Sequence, residues 1–176
     1  MIKVKTFFYI LAASLLLGAA QSCSSSDDSD DSTTAYNKRN KEAGESFLIA
    51  NRDSAGVKET YTGLQYRVDS LGTGVKPDEN DSVYVDFTGQ LCNGTYFTSA
   101  TNTALLVSEQ IAGMQEGLEL MPEGSVFDLY IPYYLAYKAE SNTYYYKGNM
   151  VSISAYSMLH FRVRLRKVVQ IASDDN

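Results

Sequence analysis

Gln110-Ile111-Ala112-Gly113-Met114-Gln115-Glu116-Gly117-Leu118-Glu119-Leu120, followed by Met121-Pro122-Glu123-Gly124-Ser125 and Val126-Phe127-Asp128-Leu129-Tyr130-Ile131, is the stretch whose pattern decides the fold. Ile111, Met114 and Leu118 lie three and four residues apart, on one face of a short helix between Ser108 and Leu120. Phe127, Leu129 and Ile131 then alternate with Asp128 and Tyr130, the period-2 mark of a half-buried strand. The same alternation recurs upstream, with Leu64, Tyr66 and Val68 set against Gln65, Arg67 and Asp69. It recurs again with Val83, Val85 and Phe87 set against Tyr84, Asp86 and Thr88. This strand leads to Asn93-Gly94, a dipeptide suited to a type I′ hairpin turn because both central residues there need positive φ. Last, Leu159, Phe161, Val163 and Leu165 alternate with His160, Arg162, Arg164 and Arg166. One short helix among about five antiparallel strands predicts an α+β fold with the helix covering one sheet face. On this pattern His160 points to solvent, and Arg162, Arg164, Arg166 and Lys167 form the solvated face of an edge strand.

Upstream of the strands, Ala35 to Asn51 mixes charged residues with one apolar cluster, Phe47-Leu48-Ile49. It reads as a helix weakened by Gly44, docking that single patch, and closed by Asp53 and Gly56. Before it, Ser24 to Thr34 is a Ser/Asp tract with no apolar residue to bury, expected to be a flexible tether. The first residues read as an address. Lys3 and Lys5 precede an apolar run from Phe7 to Ala19, too short for a comfortable membrane span of roughly 20 residues and ending in small residues before Cys23.

Composition removes several kinds of chemistry. The 176 residues suit one ordinary domain, and 44% hydrophobic content is enough for a core. Fifteen Lys and Arg against 21 Asp and Glu give −6, a poor footprint for nucleic acid. Loss of residues 1–22 would take Lys3 and Lys5 and no acid, moving the charge to −8. One His and two Cys leave too few parts for a zinc site, a disulfide framework or a histidine-driven hydrolase. No metal and no cofactor is expected. Tyrosine is abundant, with 14 residues, three of them consecutive at Tyr144-Tyr145-Tyr146.

Read together, these motifs resemble a known family. Thr62-Gly63-Leu64-Gln65-Tyr66, Gly72-Thr73-Gly74, Asp86-Phe87-Thr88-Gly89, Asn93-Gly94-Thr95-Tyr96-Phe97 and Gln110 to Leu118 stand in the order found in FKBP-type peptidyl-prolyl cis-trans isomerases. Leu129-Tyr130-Ile131-Pro132, Leu135-Ala136-Tyr137 and Leu159-His160-Phe161 complete the series, over roughly Asn40 to Val169. Lys41-Glu42, Gly44-Glu45 and Phe47-Leu48 resemble the helical lead-in of the secreted, Mip-like branch. The resemblance implies an antiparallel sheet of about five strands curled around one helix. It divides the chain into a leader (1–22), a lipidated Cys and tether (23–34), a helical lead-in (35–60), the FKBP-like domain (61–170) and a tail (171–176). The small residues before Cys23 resemble a bacterial lipobox, with Gln21 departing from it. That implies an exported lipoprotein of the outer membrane, on its periplasmic face or at the cell surface, held by lipid at Cys23. The acidic tract after Cys23 fits either an export signal or a plain spacer. Cys92 would then have no intramolecular disulfide partner.

The implied activity is rotation of X-Pro bonds in proline-containing peptides or unfolded exported proteins. By the resemblance, Phe87, Phe97, Ile111, Tyr137 and Phe161 line the proline pocket, Tyr137 offers its phenol and Ile111 its N–H to substrate carbonyls. Met114 forms the floor, Thr98 and Gln110 the rim, and Leu105 a wall. The chain departs from the family's pattern at Met114, where a Trp is usual, at Thr98, usually acidic, and at Phe87, more often Tyr. The segment Asn142 to Ile153 has no proline, where the family carries a Gly- and Pro-rich lip. It fits either a tyrosine-rich binding surface or a β-ribbon packed on the sheet. Two functions therefore stand: an isomerase with weakened activity, or a non-catalytic binding lipoprotein on the same fold. The oligomeric state stays open.

Overall fold

In the computed structural model, residues 28–171 are described; the expectations for the leader, for Cys23 and for residues 172–176 lie outside them. The elements are α1 (Asp28–Arg52), β1 (Val57–Glu59), β2 (Gln65–Ser70), β3 (Ser82–Leu91), β4 (Tyr96–Leu106), α2 (Ala112–Leu120), β5 (Val126–Ile131), β6 (Asn142–Tyr146), β7 (Asn149–Ile153) and β8 (Leu159–Val169). Six strands form one antiparallel sheet in the order β1-β2-β5-β8-β3-β4, and β6 pairs only with β7. The α+β expectation holds. The extra strand is β1, a three-residue piece within the span expected to be a helical lead-in, and it pairs with β2.

Helix α2 lies on the concave face of the sheet. Met114 and Leu118 are buried there as their spacing predicts, and two glycines set how closely the helix approaches. A Cβ at Gly113 would run into Ile131, and one at Gly117 into Leu129, so α2 and β5 meet nearly backbone to side chain. The inward residues of β8, Leu159, Phe161, Val163 and Leu165, all join the core.

The convex face departs from the sequence reading. Strand β8 is central, between β5 and β3, so its arginines do not decorate an edge. Helix α1 docks along its length: Tyr36 bonds Ser154, Asn40 donates to Ala155 O and Ser157 Oγ, and Phe47 lies 5.9 Å from the Tyr130 ring. The expected single patch is only half used, since Ile49 remains 66% exposed. The helix also starts earlier than expected, at Asp28 within the Ser/Asp tract.

Every residue of β5 is buried: Phe127, Leu129 and Ile131 in the core, Tyr130 beside Phe47 of α1, and Asp128 among Arg67, His160 and Arg162. Gln65, expected in solvent, is buried as well, accepting from Asn51 Nδ2 and donating to Leu48 O and Glu59.

The hairpin at Asn93-Gly94 forms with a different turn. Gly94 has φ +83, but Asn93 is not in the positive region, and the Gly94 N–H donates to Leu91 O. This is a three-residue loop with glycine in the left-handed position, not type I′. The turn with two positive φ values occurs instead at Lys147 (+47) and Gly148 (+86), joining β6 to β7.

Candidate active site

The residues assigned to the proline pocket come from five separate segments, and all of them lie in or pack against one core cluster. Phe97, at the start of β4, meets Phe161 of β8 edge to face, centroids 5.6 Å apart. Phe87 of β3 meets the same Phe161 at 6.1 Å. Gly89 makes this possible. A Cβ there would lie 2.7 Å from Phe97 Cζ, 2.7 Å from Thr98 Cγ2 and 2.9 Å from Phe161 Cε1. Met114 of α2 is buried in the same core cluster, while Leu105, Ile111 and Tyr137 pack against it at its half-buried margin. Phe97, Met114 and Phe161 are at most 5% exposed, so the cluster is dry.

Two donors stand at the margin. Ile111 caps α2 in an extended conformation, and among the described residues no backbone carbonyl accepts from its N–H. Tyr137 follows the 3₁₀ turn Tyr133–Leu135, and Lys138, beside it in the left-handed region, turns the chain back. Burial, and then a hydrogen bond with the Tyr144 hydroxyl, push the Tyr137 pKa well up, so it is a neutral phenol throughout the ordinary pH range.

Two rim residues are otherwise engaged. Gln110 donates to Leu106 O and accepts from Gln115 at its carbonyl, while Thr98 presents its methyl to the Gly89 gap.

Tyr144 is the residue that sequence reasoning did not single out. Its ring rests 5.3 Å from Phe97, its hydroxyl bonds that of Tyr137, and Tyr146 stacks 6.3 Å from Tyr96. The signal was present as alternation: Tyr144 and Tyr146 turn toward β4 while Tyr145, between them, is 76% exposed. A separate groove of about 410 Å³, walled by Asp86, Arg162, Arg164, Tyr146 and Lys147, touches the aromatic cluster only at Phe87. Neither Tyr137 nor Ile111 lines it, so it lacks the donor pair.

His160 points outward as expected but is half-buried and engaged rather than free in solvent. Its ring stacks on Tyr130 at 4.7 Å and its Nε2 lies 3.0 Å from Asp128 Oδ1, on the convex face. Arg67 and Arg162 donate to Asp128 Oδ2 at 2.8 and 3.0 Å. Burial alone would raise the Asp128 pKa; the bonds from His160 and Arg67 and the nearby charges outweigh it and pull it down to about 2. Among the described residues no group of three or more potential ligands could hold a metal ion.

Comparison with known proteins agrees with this geometry. The profile described as FKBP-type peptidyl-prolyl cis-trans isomerase matches residues 73–166, and that described as the domain amino terminal to it matches 17–68. The Aeromonas hydrophila protein named FKBP-type peptidyl-prolyl cis-trans isomerase FkpA is 38% identical over 139 residues, 77% of this chain and 49% of that one. The Legionella longbeachae outer membrane protein MIP is 40% identical over 113 residues, 60% of this chain and 48% of its own. Among solved structures, a peptidyl-prolyl cis-trans isomerase from Pseudomonas syringae is 30% identical with a TM-score of 0.67, over 76% of this chain and 96% of that one. Escherichia coli FkpA is 28% identical with a TM-score of 0.70, over 79% and 63%. The chain spans about half the length of the curated relatives it matches.

Proposed function

The chain belongs to the FKBP-type peptidyl-prolyl cis-trans isomerase family, and from that premise we propose that it catalyses rotation about X-Pro bonds of exported proteins. The observation that carries this reading is the convergence of Phe87, Phe97, Met114 and Phe161 on one dry cluster beside the donors Tyr137 and Ile111. Rotation must cross a barrier of ~18–20 kcal/mol set by amide resonance. In the twisted state the resonance is lost and the carbonyl is less dipolar, so an apolar site favours it over the planar amide. The prolyl ring enters the aromatic cluster, the Ile111 N–H and the neutral Tyr137 phenol hold the flanking carbonyls, and no nucleophile or general base takes part.

A protease-free isomerisation assay on an X-Pro peptide tests this. The parent accelerates rotation, and Tyr137→Phe loses about tenfold, the worth of one hydrogen bond made in the twisted state. A parent without acceleration that gains it in Met114→Trp would mean that the site binds peptides and does not turn them over.

The site is also read as membrane-tethered. The small residues before Cys23 support a lipid anchor there, and the name of the Legionella relative supports association with the outer membrane. Among the described residues no helix is long and apolar enough to cross a membrane. Incorporation of labelled palmitate that persists in Cys23→Ala would exclude the anchor.

A further inference from the structure

Resting on the reading of the concave site as a proline pocket, we propose that Tyr144 is a built-in substitute for substrate, and that peptides bind by displacing it. A prolyl substrate must make two contacts there, an apolar ring against Phe97 and an oxygen at the Tyr137 hydroxyl. One side chain of the protein already makes both. The Tyr144 ring lies 5.3 Å from Phe97, and its hydroxyl shares a hydrogen bond with that of Tyr137. With Phe97 only 1% exposed, a ligand ring reaches it only after something above it moves.

The element above it is built to move. Strands β6 and β7 pair with each other and with no strand of the main sheet. A lone two-stranded hairpin is marginally stable in water, so this one depends on what it leans against. At its base Ile153 is fully buried and Ser141 Oγ accepts from the Ala155 N–H, which anchors the ribbon. Nearer the tip its aromatic anchors are Tyr144 on Phe97 and Tyr146 on Tyr96, the latter pair near the surface. The tip can therefore swing about a fixed base, exchanging one ring and one hydroxyl for the substrate's own.

Competition of this kind reduces apparent affinity by the fraction of molecules in which the site is open. It acts on binding and leaves the chemical step untouched. Tyr144 is thus a specificity-determining residue, because only peptides with an apolar ring and a well-placed carbonyl recover what its displacement gives up.

The test measures Kd for a short X-Pro peptide by titration, and KM and kcat separately, for the parent, Tyr144→Phe, Tyr144→Ala and Tyr137→Phe. Freeing the Tyr137 hydroxyl in Tyr144→Phe lowers Kd and KM about three- to tenfold, the range of one net hydrogen bond, with kcat unchanged. Tyr144→Ala lowers them further. Unchanged or weakened binding in Tyr144→Phe overturns the proposal and makes Tyr144 an ordinary wall. Failure of the parent reading looks different, since Tyr137→Phe would then leave both binding and turnover unaltered. Binding that appears in Tyr144→Phe and Tyr144→Ala but not in the parent supports the displacement even where the parent is silent, and no binding in any variant overturns both.

Discussion

The two faces of strand β8 are built from alternate residues of the same eleven, and they do opposite work. Its concave face offers Leu159, Phe161, Val163 and Leu165 to a core without a charge, and Phe161 there meets both Phe87 and Phe97. Its convex face carries His160 and Arg162 to the buried carboxylate of Asp128, while Arg166 donates to Asp86 at 2.6 Å. Amide rotation profits from a dry site with few dipoles, so the charges that help hold the sheet are kept behind it. Stability and chemistry can therefore be disturbed separately, from opposite sides of one strand.

The largest effect is expected from Asp128→Ala. It leaves Arg67 and His160 beside a hole without their carboxylate and Arg162 with Asp69 alone, and removal of one partner of a buried ionic group costs about 3–5 kcal/mol. The arginines are nearly half exposed and can turn to water, so the lower end applies. Urea unfolding reads the loss, while isomerisation per folded molecule stays at the parent value. The pH dependence has a definite sign. Asp128 has a native pKa of about 2, below its unfolded value, so its stabilisation is complete above about pH 4 and is lost as pH falls toward 2. About 2 kcal/mol of stability disappears over that window, and Asp128→Asn flattens this part of the profile. A variant that lost activity with its stability intact would break the separation of faces.

Gly89→Val attacks the other face and is smaller in stability. The added carbons meet Phe97, Thr98 and Phe161 within 3 Å, and crowding of this kind costs about 1–3 kcal/mol. The aromatic rings must part, so kcat/KM is expected to fall by more than the folded fraction does. Peptide titration of the folded variant checks it, and unimpaired binding would show that the rings are not the site.

Local pattern made much of the fold legible. Helix α2 and strands β2, β3, β5 and β8 were visible because each buries at least one face against the core, which imposes period 3.6 or 2 on the residues. What failed was any inference that needed a distant partner. Gln65, Asp128 and His160 looked solvent-facing because polar residues alternate outward, yet α1 and neighbouring side chains cover that face. The β8 arginines looked like an edge because strand order is not a local property. The aromatic site was legible only through family order, since a strand Phe facing inward is core by default. Tyr144 was hidden among three tyrosines, and only pairing of β6 with β7 decides which of them turns inward.

The smallest expected effect sharpens how firmly α1 covers the convex side. Gly44 lies in the middle of this helix, where Ala is favoured by about 0.5–1 kcal/mol through backbone entropy alone. An added Cβ, however, would sit 3.1 Å from both Cβ and Cγ of Met158. Those atoms are close to the Met158 backbone, and the residue is 1% exposed, so it has little room to yield. The two effects nearly cancel, and Gly44→Ala is expected to shift stability by less than about 0.5 kcal/mol, whereas Gly44→Val costs about 1–3. Urea midpoints of the pair decide the matter. If Gly44→Ala gains its full helical preference, α1 stands off the sheet, and the burial of Gln65 and Tyr130 must then be attributed to their strand neighbours rather than to the helix.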